Sequence, residues 1–132
     1  MFSLLTRRFH PQLAAHLQLG RRGERIAAAY LRRLGYRILA RNVRLYGGDE
    51  IDVIAIDPVG NTIVFVEVKT RAADDRDFNP ELNLTPAKKR RMCRAARKWL
   101  ARRAGETGCR LDALCVAGDR VIAHIEDLEW TE

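Results

Sequence analysis

The sequence predicts an α/β domain, a mixed β-sheet flanked by helices in the order α-β-β-β-α-β-β. Three observations carry this. Two segments repeat their apolar residues at helical spacing, while the stretches between them run or alternate apolar over strand lengths. A Pro-Val-Gly-Asn turn after Asp57 joins two of those strands as a hairpin. The length, 132 residues, suits one such domain.

Taken in order, residues 1–18 read as an N-terminal extension and 19–132 as the domain. The start, Met1 to Phe9, is basic and faintly apolar, too short for the core of a signal peptide. It suits a loosely ordered extension. Leu19–Leu34 reads as a helix, with Ala27, Tyr30, Leu31 and Leu34 as its inward stripe and Gly35 just past its end. Tyr36–Val43 reads as a short strand. Glu50–Ile56 and Thr62–Thr70 are the hairpin strands, and the unbroken apolar run Ile63–Val66 predicts burial on both faces. Arg71–Leu84 is a polar loop with three aspartates. Thr85 and Pro86 open the second helix as N-cap and first residue, and the helix runs to Ala104. Met92, Ala96, Trp99 and Leu100 form its apolar stripe, with Trp99 in the core. Leu111–Val116 and Val121–Ile125 close the domain as strands around an Ala-Gly-Asp turn.

Composition narrows the class. With 47% hydrophobic and 31% charged residues the chain is neither disordered nor collagen-like. No apolar run is long enough to span a bilayer. Cys93, Cys109 and Cys115 lack the spacing of a disulfide scaffold or a zinc site. They read as reduced thiols packed as small hydrophobes, in a cytoplasmic protein. Lys and Arg total 24 against 17 acids, a net charge of +7 and a pI near 9.9. That balance suits a polyanionic partner, nucleic acid being the commonest. Residues 82–105 hold nine bases and no acid.

Against this background the acids of the hairpin stand out. With a four-residue turn, Asp52 falls opposite Glu67 and Glu50 opposite Lys69. Alternation then puts Asp52, Glu67 and Lys69 on one face. Opposed Cβ atoms lie roughly 4.5–5.5 Å apart. Two carboxylates so placed repel, and burial adds several kcal/mol unless something pairs with them. A divalent cation, Mg²⁺ or Mn²⁺, would offset this, held by Asp52, Glu67 and the backbone carbonyl of Val68. Lys69 would orient or activate a water and stabilise charge on a scissile phosphate. The plain alternative is a salt bridge from Lys69 to Glu50 or Glu67. A bulge in the turn would also move one acid to the other face. Glu24, in line with the first helix's inward stripe, is placed to reach the metal directly or through water. Its alternatives are a partner in Arg21 or the positive N-terminal end of a helix.

Asp52, fourteen residues, then Glu67-Val68-Lys69 resembles the motif of the PD-(D/E)XK nuclease superfamily. The blocks Gly23-Glu24, Leu34-Gly35-Tyr36, Arg41-Asn42, Glu50–Ala55, Val64–Arg71 and Thr85–Lys88 look like the YraN family. This bacterial group is similar in layout to archaeal Holliday junction resolvases. The resemblance spans roughly residues 20–126. It implies a restriction-endonuclease-like αβββαβ core and an Mg²⁺-dependent site in which Glu24, Asp52, Glu67 and Lys69 correspond to the catalytic set. One departure is Asp49, which precedes Glu50 where the family commonly has glycine: the loop carries an extra acid or is one residue longer, and either would shift metal geometry or repel phosphate.

The basic second helix follows the site strand, and its charges outnumber what a buried stripe accommodates. Lys88, Lys89, Arg91, Arg94 and Lys98, with Arg71 just past Lys69, are the candidates for nucleic-acid contact. Aromatic residues are 7% of the chain and none interleaves with these bases, so backbone shape, not stacking on bases, is the expected mode. The function expected is metal-dependent hydrolysis of DNA, branched or damaged DNA included. The alternatives are a nucleic-acid-binding protein that keeps the fold without cleavage, or a basic surface for an acidic protein. By analogy with resolvases, a homodimer is expected.

Overall fold

A computed structural model gives the fold for residues 11–73, 84–103 and 108–130. Helix α1 (Pro11–Arg33) leads into strands β1 (Arg37–Arg44), β2 (Glu50–Asp57) and β3 (Thr62–Arg71), followed by α2 (Pro86–Leu100), β4 (Cys109–Ala117) and β5 (Arg120–Ile125). A short 3₁₀ turn, Tyr46–Gly48, interrupts the β1–β2 connection. The five strands form one sheet in sequence order. Only β3 and β4 are parallel, with α2 in the crossover, as a parallel connection requires. The sheet is thus mixed and flanked by two helices, an α/β fold compatible with a restriction-endonuclease-like core.

The helices cover opposite faces. Ala27 and Leu31 of α1 pack with Val53, Ala55, Val64 and Val66. Met92, Cys93, Ala96 and Trp99 of α2 pack with Ile54, Ile63 and Phe65. Alternate residues of β3 therefore enter two different cores, which is why its apolar run shows no period. Trp99 meets Phe65 edge-on at 5.6 Å. Cys93 and Cys115 are buried, Cys109 is half-buried, and all three are free thiols. No described helix is long and apolar enough to cross a membrane.

Local chemistry sets the element ends. Gly35, at φ 88°, closes α1: its N–H donates to the Arg32 carbonyl while Tyr36 N–H donates to Leu31, a Schellman arrangement. Thr85 caps α2, accepting from Lys88 N–H at 3.2 Å. Three expectations need correction. Helix α1 begins at Pro11, so residues 11–18 belong to it. Gln12 and residues 15–18 are exposed, so the start of the helix stands clear of the core stripe. Leu34, assigned to the inward stripe, is 49% exposed because the helix has already ended. Helix α2 stops at Leu100, and Ala104 lies outside the described residues, as do 1–10 and most of the Arg71–Leu84 loop.

Candidate active site

The site lies where the sheet comes apart. Strands β2 and β3 pair from Asp57–Thr62 to Val53–Val66 in the register the turn predicts. Asp52 and Glu67 stand one position past the last pair. There Val68 N–H donates to Asp52 Oδ2 at 2.8 Å, so a side chain replaces the ladder's carbonyl. Ile51 and Val53 share a strand face by alternation, yet they enter opposite cores, so β2 turns over at Asp52. On the facing strand Asn42 has φ 51°, between the regular pairs Arg41–Val53 and Val43–Ile51.

This twist gives Asp52 access to both sides. It lines a cavity of about 230 Å³ with Gly48, Glu50, Glu67, Lys88 and Arg91. It also lines a second, of about 380 Å³, with Glu24, Asn42, Arg21 and Arg44. Glu24 comes from α1, held against the sheet by a close approach at Gly23. A methyl group added to this buried glycine would overlap Thr70 Cγ2. Because α1 starts at Pro11, Glu24 lies mid-helix, and interaction with the positive end of its own helix drops out.

The acids perturb one another. Burial, then the charge of Glu67, pushes the Asp52 carboxyl up to about 7, against the pull of the Val68 N–H. Burial also raises Glu67, opposed by its hydrogen bond with Asp52 and by the charges of Lys88 and Arg91. Glu24 is raised by burial and by Asp52, while Asn42 and Arg41 act in the opposite sense. Arg41 Nε is buried with no hydrogen-bond partner among the described residues.

Other predicted residues fall differently. Lys69 is half-buried on β3, two positions past Glu67 and aligned with Cys115 of β4, and lines neither cavity. Glu50 pairs with exposed Arg44 at 3.3 Å rather than meeting Lys69. Lys88 and Arg91 form a wall of the carboxylate cavity; Lys89 is half-buried on the same helix. Arg71 Nη1 donates to the Thr70 carbonyl at 2.9 Å. Arg94 and Lys98 have a structural tie as well. Both are engaged by buried Asp49, Arg94 through two bonds of 2.8 and 2.9 Å and Lys98 through one of 2.7 Å. The extra acid therefore offsets one of the two positive charges and fastens the β1–β2 loop to α2, at the edge of the same carboxylate cavity. Its carboxyl is held well below the usual range by those two partners.

No group of three or more His, Cys, Asp or Glu able to hold a metal occurs among the described residues. Two acids pressed together at an open cavity do fit Mg²⁺ or Mn²⁺, which keep waters and use one or two carboxylates. Arg21 and Arg44, which line the second cavity with Glu24, are not among the residues the sequence points to for nucleic-acid contact. Only the proximity of Arg21 to Glu24 hinted at one of them.

A family model described as "Uncharacterised protein family UPF0102" matches residues 23–116, which include Glu24, Asp52, Glu67 and Lys69. A UPF0102 protein of Nitratidesulfovibrio vulgaris strain DP4 is 52% identical over 112 residues, covering 82% of this chain and 81% of the relative. One from Geobacter sulfurreducens is 48% identical over 99 residues, 74% of each. One from Oleidesulfovibrio alaskensis is 47% identical over 114 residues, 86% of this chain; the match spans only 54% of that longer relative.

Proposed function

Because the chain belongs to the uncharacterised protein family UPF0102, its function is read from its own geometry, and we propose that it is a metal-dependent nuclease acting on phosphodiester bonds of DNA. The observation that carries this reading is the Asp52–Glu67 pair: two adjoining acids, one pushed up to about 7, beside a cavity walled by Lys88 and Arg91. Such an arrangement costs stability and suits a site that takes up a cation.

Asp52, Glu67 and the Val68 carbonyl are the residues that would hold the cation. Bound there, it would make a water nucleophilic and offset charge on the phosphate. The Val68 N–H fixes the Asp52 carboxylate in its orientation. Lys88 and Arg91 would receive the non-bridging oxygens of the phosphate. Lys69 is proposed to orient the attacking water, and Glu24 to reach it through a second water. Water adds to phosphorus, the bond to one sugar oxygen breaks, and that oxygen takes up a proton.

The test is a cleavage panel of duplex, single-stranded and branched DNA with Mg²⁺ or Mn²⁺. Asp52→Asn and Glu67→Gln are expected to lose about 100-fold or more in rate while still binding DNA. Unchanged rates in both variants would overturn the proposal. The position of Lys69 outside both cavities favours a second reading, DNA binding without hydrolysis. It predicts salt-dependent binding, no cleavage by any arm of the panel, and no loss in either variant. A homodimer and a cytoplasmic setting belong to the nuclease proposal, and sedimentation checks the former.

A further inference from the structure

We infer that Tyr46 is a stacking platform for an unpaired base of the DNA strand next to the phosphate at Asp52 and Glu67. The inference rests on the nuclease reading and deepens it by naming the substrate feature selected, an unpaired nucleotide beside the cleaved bond. Stacking of this kind is the opposite of the backbone-only recognition expected from the sequence.

Tyr46 is 71% exposed, whereas Tyr30, Tyr36, Phe65, Trp99 and Trp130 are all buried or half-buried. The ring is carried by a fixed loop. Leu45 N–H donates to the Asp49 carbonyl at 2.8 Å, closing the turn. Gly47 and Gly48, at φ 83° and 91°, adopt a conformation other residues resist. Lys98 Nζ donates to the Tyr46 carbonyl at 2.7 Å, sits 4.4 Å from the ring centroid, and is itself anchored by Asp49. An aromatic ring is thus held in place at the surface without entering a core.

Its position relates it to the acids. Gly48, two residues along, lines the same cavity as Asp52 and Glu67. Asp49 lines it as well, and Lys98, bonded to Asp49, lies 4.4 Å from the Tyr46 ring centroid, so the ring is within reach of a nucleotide adjoining that cavity. Lys88 and Arg91 supply matching charge for the strand's phosphates. Every base presents a π face, so such a platform is tolerant of sequence. A base inside continuous duplex is already stacked, and only an unpaired one is free to use the ring.

The experiment uses the full chain without divalent cation and two DNAs carrying 2-aminopurine, one with the base unpaired beside a duplex and one fully paired. Binding is followed by anisotropy and stacking by 2-aminopurine fluorescence, with cleavage measured separately in Mg²⁺. Wild type is expected to quench the unpaired base. Tyr46→Ala and Tyr46→Leu should lose the quench and bind that DNA about 10-fold more weakly, with less than about a twofold change for duplex. Tyr46→Trp should retain both properties. Quench and affinity unchanged in Tyr46→Ala, while wild type cleaves, would overturn the inference and leave the nuclease reading intact. So would equal weakening on both DNAs, the mark of a residue that merely holds Lys98. A Tyr46-dependent quench without cleavage would sustain the platform and remove the nuclease reading. Absence of quench and cleavage together would remove both.

Discussion

Asp52 answers to two demands: its Oδ2 serves as a backbone acceptor for β3, and its charge lies against Glu67. The consequence is a pH dependence of known sign. A carboxyl raised to about 7 binds its proton more tightly in the folded than in the unfolded chain. Its favourable contribution is complete below about pH 4 and is lost as pH rises through about 7. Metal-free protein should therefore melt lower at pH 8 than at pH 5.5. Asp52→Asn keeps the acceptor for Val68 and removes the charge, so it should raise Tm at pH 8, by about 1–3 kcal/mol of stability, and flatten the dependence. Mg²⁺ should raise the wild-type Tm at pH 8 and leave the variant unmoved; scanning fluorimetry checks all three. Asp49 has the opposite sign. Its lowered carboxyl stabilises above about pH 4 and ceases to as acid protonates it. Asp49→Asn should lower Tm at pH 7 and bring it closer to wild type near pH 2. Both acids were visible in the sequence, but the partners that give them opposite behaviour lie 15 and 45 or more residues away.

At the scale of elements, Gly23 sets how closely α1 approaches the sheet. Its Cβ would occupy the space of Thr70 Cγ2, one residue before the helix presents Glu24. Gly23→Ala is expected to cost about 1–3 kcal/mol through overpacking, read by urea unfolding. Thr70→Ser removes the clashing methyl, so the double variant should recover most of that loss. The strand boundaries and the capped start of α2 were legible because strand alternation, a Thr-Pro cap and a Gly-Asn turn are local signals. The hairpin register was legible as well, since turn length dictates it. The end of the β2–β3 ladder was not. Nothing in Ile51-Asp52-Val53 announces that the backbone turns over there; facing strands and opposite cores produce it. The start of α1 was not legible for a related reason: Gln12 and residues 15–18 are exposed, so no core contact marks where the helix begins.

Across the whole molecule, polar ties reinforce the contacts that the sheet and its two cores make between elements. Arg110 bridges Asp112 and Asp57 at 2.8 and 2.9 Å. Asp112 also meets His124 of β5, whose other ring nitrogen meets Tyr30 of α1 at 3.1 Å. Asp112 is fully buried, so Asp112→Ala would leave Arg110 with Asp57 as its one carboxylate and take the partner from His124 Nε2; it should cost about 3–5 kcal/mol in urea unfolding. The charge field acts at the same scale. A net charge of +7, with Lys88 and Arg91 at the cavity and Arg21 and Arg25 on the exposed face of α1, predicts steep salt dependence for DNA binding. Anisotropy should show affinity falling by about 10-fold or more between 50 and 200 mM salt.

By itself the sequence determined the order of elements, the hairpin register, the two-sided burial of β3 and the acids worth examining. Each of these follows from side-chain period, turn chemistry or charge count within a short stretch. Tertiary structure alone decided which charges remain available. Burial and distant partners tie Arg94 and Lys98 to Asp49 and bring Lys88 and Arg91 to the cavity that Asp52 and Glu67 line. Electrostatics and packing depend on distance in space, and a linear chain does not carry that distance on its face.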